Sequence, residues 1–298
     1  MMFFEILDKL KRKSASLIIY CLLDRIPIIV FGDNSDEIDD FLMELSNLIH
    51  FRREYVFNTD FISIEDYNNL IETEDMDYNA ERVHIRCSSN VALKALNQFD
   101  AINSWIIGLV APKHKENLKE IKNLIKEKSK VYLSILLSAD TISVELEGTD
   151  SKQIDLSLEE NILRKISEDT EKSIVKMKRV LSERTKSDKL SKEIIKTLLD
   201  FETEKNELIK NIFKKEIQNF YSGSKRAFFI LSRLKLLTTM EIETKIGNKT
   251  LFETIDYDEA TINRILSFIN REWKEDFSDL IESGKKVDIG DKIQSLWG

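Results

Sequence analysis

A chain of 298 residues with 42% hydrophobic side chains is long and apolar enough for two ordinary domains, which excludes wholesale disorder, and its 53 acidic against 45 basic residues set a formal charge of −8. With only 8 glycines, loops that crowd several backbone N–H groups around one phosphate are nearly excluded. Cys21 and Cys87 stand alone, and His50, His84 and His114 are scattered, so neither a disulfide framework nor a zinc site is indicated.

No apolar run approaches the roughly 20 residues that span a bilayer. Lys11, Arg12 and Lys13 ahead of Leu17 to Leu23 imitate a signal peptide, but Asp24 and Arg25 occupy the place of a small-residue cleavage site. A reducing, cytoplasmic location is expected.

In chain order, residues 1 to about 150 alternate β-branched runs with helical patterns. IPIIVFG precedes DEIDDFLMELSNLI, REYVFNTDFI precedes IEDYNNLIE, RVHIRCSS precedes NVALKALNQF, SWIIGLVAP precedes KENLKEIKNLIKEKS, and KVYLSILLS closes the series. This pattern predicts an α/β domain with a mostly parallel sheet and helices on both faces. ISVELEG, residues 142 to 148, predicts one antiparallel edge strand.

From 151 to 222 the strand signal stops. Leu163, Ile166 and Ile174 mark one face of a long helix, and Ile194, Leu198, Leu208, Ile212 and Ile217 mark a second. Two such amphipathic helices pack against each other or against a partner's, so a homodimer through 156–220 is expected.

The remainder, 223–298, predicts three helices: KRAFFILSRLKLL, TTMEIETKIG ending at Gly247, and DEATINRILSFINREW. That order resembles the helix-turn-helix core of winged-helix domains, whose third helix is the usual reader. It departs from the pattern in a link of about ten residues, 248 to 257, where three or four are usual. GKKVDIG at 284–290 would be a wing strand. A plain small helical bundle fits the same pattern.

IPIIVFGDNSDEIDDF resembles the opening of a P-loop domain in hydrophobic pattern and position. Such a domain binds phosphates through GxxxxGK[ST], and here Gly32 is followed by no second glycine, no lysine and no correctly placed hydroxyl. Asp33, Asp36, Glu37, Asp39 and Asp40 stand there instead. Like charges about 4 Å apart repel by about 1 kcal/mol in water and about 4 kcal/mol at an effective dielectric of 20, so a triphosphate is disfavoured. Asp33, Asn34 or Ser35 capping a helix, with acids in its first turn, explains these residues. The alternative is a magnesium site from Asp33, Asp36 and Asp60, carboxylates at the ends of strands.

Charge arbitrates between partners. Residues 1–150 hold 17 basic against 26 acidic side chains, and 223–298 hold 12 against 13, so neither part has the basic excess of a nucleic-acid-binding module. DNA contact would fall to Lys225, Arg226, Arg233 and Lys235 on one helix and to Arg264 and Arg271 on the next. Three readings therefore stand: a non-enzymatic adaptor or regulator acting through protein partners, a DNA-binding regulator whose α/β domain senses a ligand, and a metal-dependent hydrolase or nuclease.

Overall fold

Every residue of Ile28–Gly32 (β1) is buried, which in a strand requires cover on both faces. A computed structural model describes residues 3–61, 63–112, 115–138, 141–184 and 201–282. In its first half the elements run α1 (Phe3–Lys9), α2 (Arg12–Leu23), β1, α3 (Ser35–Ser46), β2 (Arg53–Val56), α4 (Ile64–Met76), β3 (Val83–Cys87), α5 (Ala92–Gln98), β4 (Trp105–Val110), α6 (Lys115–Lys128), β5 (Tyr132–Leu137) and β6 (Ile142–Glu147). Among the described residues six strands form one sheet in the order β2-β3-β4-β1-β5-β6, parallel except for β6, which pairs antiparallel with β5. The mostly parallel sheet and its antiparallel edge are those the sequence pattern predicts.

Alternation along the strands sorts the side chains into two cores. Ile28 and Val30 of β1, with Ile106, Leu133 and Ile135, face α1, α2, α3 and the later helices. Ile29 and Phe31, with Trp105, Ile107, Leu109 and Tyr132, face α4, α5 and α6. The split follows from topology. α3 carries the chain from β1 past β4 and β3 to β2, while α4, α5 and α6 carry it back, and right-handed crossovers in opposite directions lie on opposite faces.

α3 sits close on the sheet. A Cβ at Gly108 would lie 2.6 Å from Ile38 Cγ2, and one at Gly32 2.9 Å from Ile38 Cγ1. The two glycines therefore let the first turn of α3 settle onto β1 and β4.

Beyond the sheet, α7 (Ser157–Arg184) packs on α8 (Phe201–Thr239). Lys165 meets Glu216 at 3.2 Å and Ile174 lines one groove with Lys205, so the two helices run antiparallel. Leu158, Ile162 and Ile166 bury against the same core as Ile209, Phe213, Ile217 and Phe220, so within the described residues these stripes are used inside one chain. Ile194, Leu198 and His114 lie outside the described residues.

The C-terminal helices differ from the expected pattern in three ways. α8 runs unbroken through Gly223, where a Cβ would come 2.8 Å from Tyr257; this glycine admits a neighbour and does not end a helix. No separate helix forms over 238–247, because Glu241 adopts φ 64° and Ile242 N donates to Leu237 O, a left-handed closure of α8. The second helix is α9 (Asn248–Ile255), inside the stretch expected as a link, and 256–261 then leads to α10 (Ile262–Trp273). β7 (Ile246–Gly247) pairs in parallel with β8 (Ile281–Glu282). The expected wing strand at 284–290 lies outside the described residues.

Close packing at Gly108 makes a direct expectation. Gly108→Ala should lower stability to urea by about 1–3 kcal/mol, and with Ile38→Ala the loss should be clearly smaller than the sum of the two single losses. Strict additivity would show that Ile38 does not set the limit.

Candidate functional site

In open α/β sheets, ligands settle beyond the carboxyl ends of strands where chain direction reverses, which here is the end of β1 between β4 and β5. β1 ends at Gly32 and α3 begins at Ser35, leaving Asp33 and Asn34 as the whole connection. The Asn34 side chain caps the helix, accepting from Asp36 N at 2.9 Å, and Gly32 O accepts from Ala111 N at 2.7 Å. Asp33, Asp36 and Glu37 are exposed, and Ile38 is buried under the first turn. A phosphate cradle needs a loop long enough to wrap an anion with N–H groups. Two residues cannot supply one.

The acids serve the fold. Asp39 accepts from Ser89 N at 2.8 Å and from Ser89 Oγ at 3.3 Å, tying the loop after β3 to α3. Asp60 Oδ2 accepts from Val56 N at 2.5 Å, closing the turn after β2. β2 is three strands from β1, about 14 Å at the usual lateral spacing. Asp33, Asp36 and Asp60 thus cannot share one cation, and among the described residues no three His, Cys, Asp or Glu side chains are placed to hold a metal ion.

A contact set that sequence patterns did not indicate lies at the other end of α3. Ser46 Oγ donates to Glu54 Oε1 at 2.6 Å and lies 2.5 Å from His84 Nε2, while Arg86 Nε donates to Glu54 Oε1 at 2.7 Å. Because Ser46 gives its proton to Glu54, Nε2 is the donor, and Nδ1 carries a buried lone pair without a partner among the described residues. Burial, then the charge of Arg52, pushes the His84 pKa down to about 3. Ser46 and His84 are both buried, so the set resembles a hydrolytic triad in composition only.

The six basic residues expected to meet DNA separate into two groups. Lys225, Arg226, Arg233 and Lys235 lie on α8, with Lys225 Nζ over the Tyr221 ring at 5.8 Å and Lys235 paired with Glu275 at 2.5 Å. Arg271 is exposed on α10, beside a groove shared with Arg25, Asn68 and Glu72. Arg264 is 3% exposed and unavailable to any nucleic acid. Its Nη1 lies 2.8 Å from Asp24 Oδ1, its Nη2 2.8 Å from Glu159 Oε1, and its guanidinium lies 4.9 Å and 5.3 Å from the Tyr20 and Phe220 rings. Burial alone would lower its pKa, but the charges of Asp24 and Glu159 outweigh that and raise it.

A second buried arginine repeats the pattern. Arg52 donates to the carbonyls of Leu22 at 2.9 Å and Leu23 at 2.6 Å, and through Nε to both carboxylate oxygens of Glu272 at 3.1 Å. Arg82 Nε donates to Glu272 O at 3.0 Å. The α/β half and α10 are therefore fastened through buried charge. A signal for this is present in the sequence: Arg264 and Glu272 fall on the same stripe as Ile265, Phe268, Ile269 and Trp273, the face that α10 buries.

These features define a mostly parallel α/β sheet whose β1 passes into α3 through two residues, joined to helices by buried ion pairs. No family model, curated protein or solved structure matches the chain. Among the described residues no helix is long and apolar enough to cross a membrane.

The suppressed pKa of His84 makes stability depend on pH. The unfolded chain takes up this proton near pH 6.5 and the folded one only near 3, so stability should fall on acidification across that window, by up to about 1.4 kcal/mol per pH unit from this group. His84→Gln should flatten the slope of unfolding free energy against pH by one proton between pH 6 and 4. An unchanged slope would show that His84 is protonated in the folded state.

Proposed function

We propose that this chain is a non-enzymatic cytoplasmic adaptor or regulator that acts by holding protein partners, with the helix-turn-helix-like end serving as a docking unit. The observation that carries the reading is the two-residue connection Asp33–Asn34, with Ile38 packed beneath it and three exposed carboxylates around it. A polyanion there would find repulsion and no loop of donors. The burial of Arg264 supports the same reading, since α10 turns one of its arginines inward, away from any DNA groove.

A DNA-binding regulator is the second reading, favoured by one observation: Lys225, Arg226, Arg233 and Lys235 follow one another along the last part of α8. Its difficulty is the shortage of positive charge elsewhere, because affinity for duplex DNA grows with the number of phosphates neutralised.

Thermal unfolding with millimolar ATP or GTP and magnesium tests the adaptor reading. A ligand at 100 times its Kd stabilises by about 2.7 kcal/mol, which raises Tm by several degrees in a protein of this size. The expected shift is below one degree. A nucleotide-dependent rise of several degrees, lost in Gly32→Val, would contradict it.

A further inference from the structure

The last three turns of α8 keep one face uncovered. Phe229, Leu236 and Met240 are 44%, 48% and 61% exposed, and Arg226 and Arg233 are exposed among them. Positions 226, 229, 233, 236 and 240 advance by alternating threes and fours, so they lie on one stripe. The seam from Phe229 to Met240, just past the helix end, is about 17 Å long. Arg226 and Arg233 flank it on one side and Lys225 on the other. Arg226 reaches the Asp256 carbonyl at 3.4 Å, and among the described residues neither arginine has a carboxylate partner. Lys235, further round the helix, is already held by Glu275.

We propose that this stripe docks an acidic amphipathic helix of a partner protein. Apolar side chains of that helix, spaced i, i+4, i+7, lie along Phe229, Leu236 and Met240, and its Asp or Glu residues meet Arg226 and Arg233. This rests on the adaptor reading and supplies the chemistry of the partner. Charge complementarity selects the occupant: from Phe229 to Leu236 the flanks of the seam carry Lys225, Arg226 and Arg233 on a chain whose overall charge is −8, so an acidic helix is steered here. Nucleic acid fits less well, since phosphate contacts would use the arginines and leave three large apolar side chains against a polar backbone. A second copy fits less well too, because an isologous contact brings Arg233 against Arg233.

The test uses the full chain and fluorescein-labelled peptides of three heptads, Leu at a and d, with Glu or Lys at e and g, followed by anisotropy at low and moderate salt. The Glu peptide should bind at least tenfold more tightly than the Lys peptide. Phe229→Ala with Leu236→Ala should weaken it at least tenfold, and Arg226→Glu with Arg233→Glu should reverse the preference, with unchanged melting in both double variants. Four results would overturn the proposal. One is no binding of the Glu peptide; another is binding that neither double variant alters, which removes the stripe but leaves the adaptor reading intact. The third is preferential binding of a 20-base-pair duplex, lost with the arginines and kept without the apolar pair. The fourth is a dimer in light scattering that Phe229→Ala with Leu236→Ala dissolves. A nucleotide-dependent melt would instead remove the adaptor reading itself, whatever the peptides do.

Discussion

One guanidinium, that of Arg264, is taken out of water between two carboxylates from distant parts of the chain. Moving such charges into a low-dielectric interior costs several kcal/mol per ion, which the attraction among them offsets only if the partners stay in place. Asp24 comes from the end of α2, Glu159 from the first turn of α7 and Arg264 from α10. Three segments are thus fixed relative to each other by a group that none can release cheaply. Two acids meet one cation, and burial raises the pKa of Glu159, as expected of a carboxyl in so dry a place.

From that constraint follows the placement of the C-terminal helices. Arg52 and Glu272 add a second buried bond, and the apolar core continues without a break from Ile28 and Val30 to Phe268 and Trp273. α10 is therefore a wall of the α/β half. Its inward face is spent on packing, while α8 keeps Phe229, Arg233 and Leu236 exposed. At the opposite end, Ile38 packs closely against Gly32 and Gly108 and seats the first turn of α3 on β1 and β4.

Much of this was legible in the residues and some was not. Continuous apolar runs such as Ile28 to Phe31 and Trp105 to Leu109 announce strands covered on both faces, and the capping by Asn34 follows from its place before a helical stripe. Strand order is silent in the sequence, so nothing local showed that Asp60 sits three strands from Asp33. The helix boundary near 240 was hidden because Glu241, not a glycine or asparagine, takes the left-handed conformation that ends α8. Arg264 is the instructive failure. Its position on the apolar stripe of α10 marked it as buried, but its counter-charge Glu159 lies 105 residues away, and no local pattern names such a partner.

The most direct measurement is urea unfolding of Arg264→Met, followed by hydrogen exchange of peptides from β1, β4 and α10. Loss of the cation strands two buried carboxylates, so stability should fall by about 3–5 kcal/mol, and the three peptides should lose protection together in one transition. A change under about 1 kcal/mol, the range of an exposed position, or an α10 that opens alone while β1 and β4 stay protected, would contradict the view that this buried charge holds the halves together.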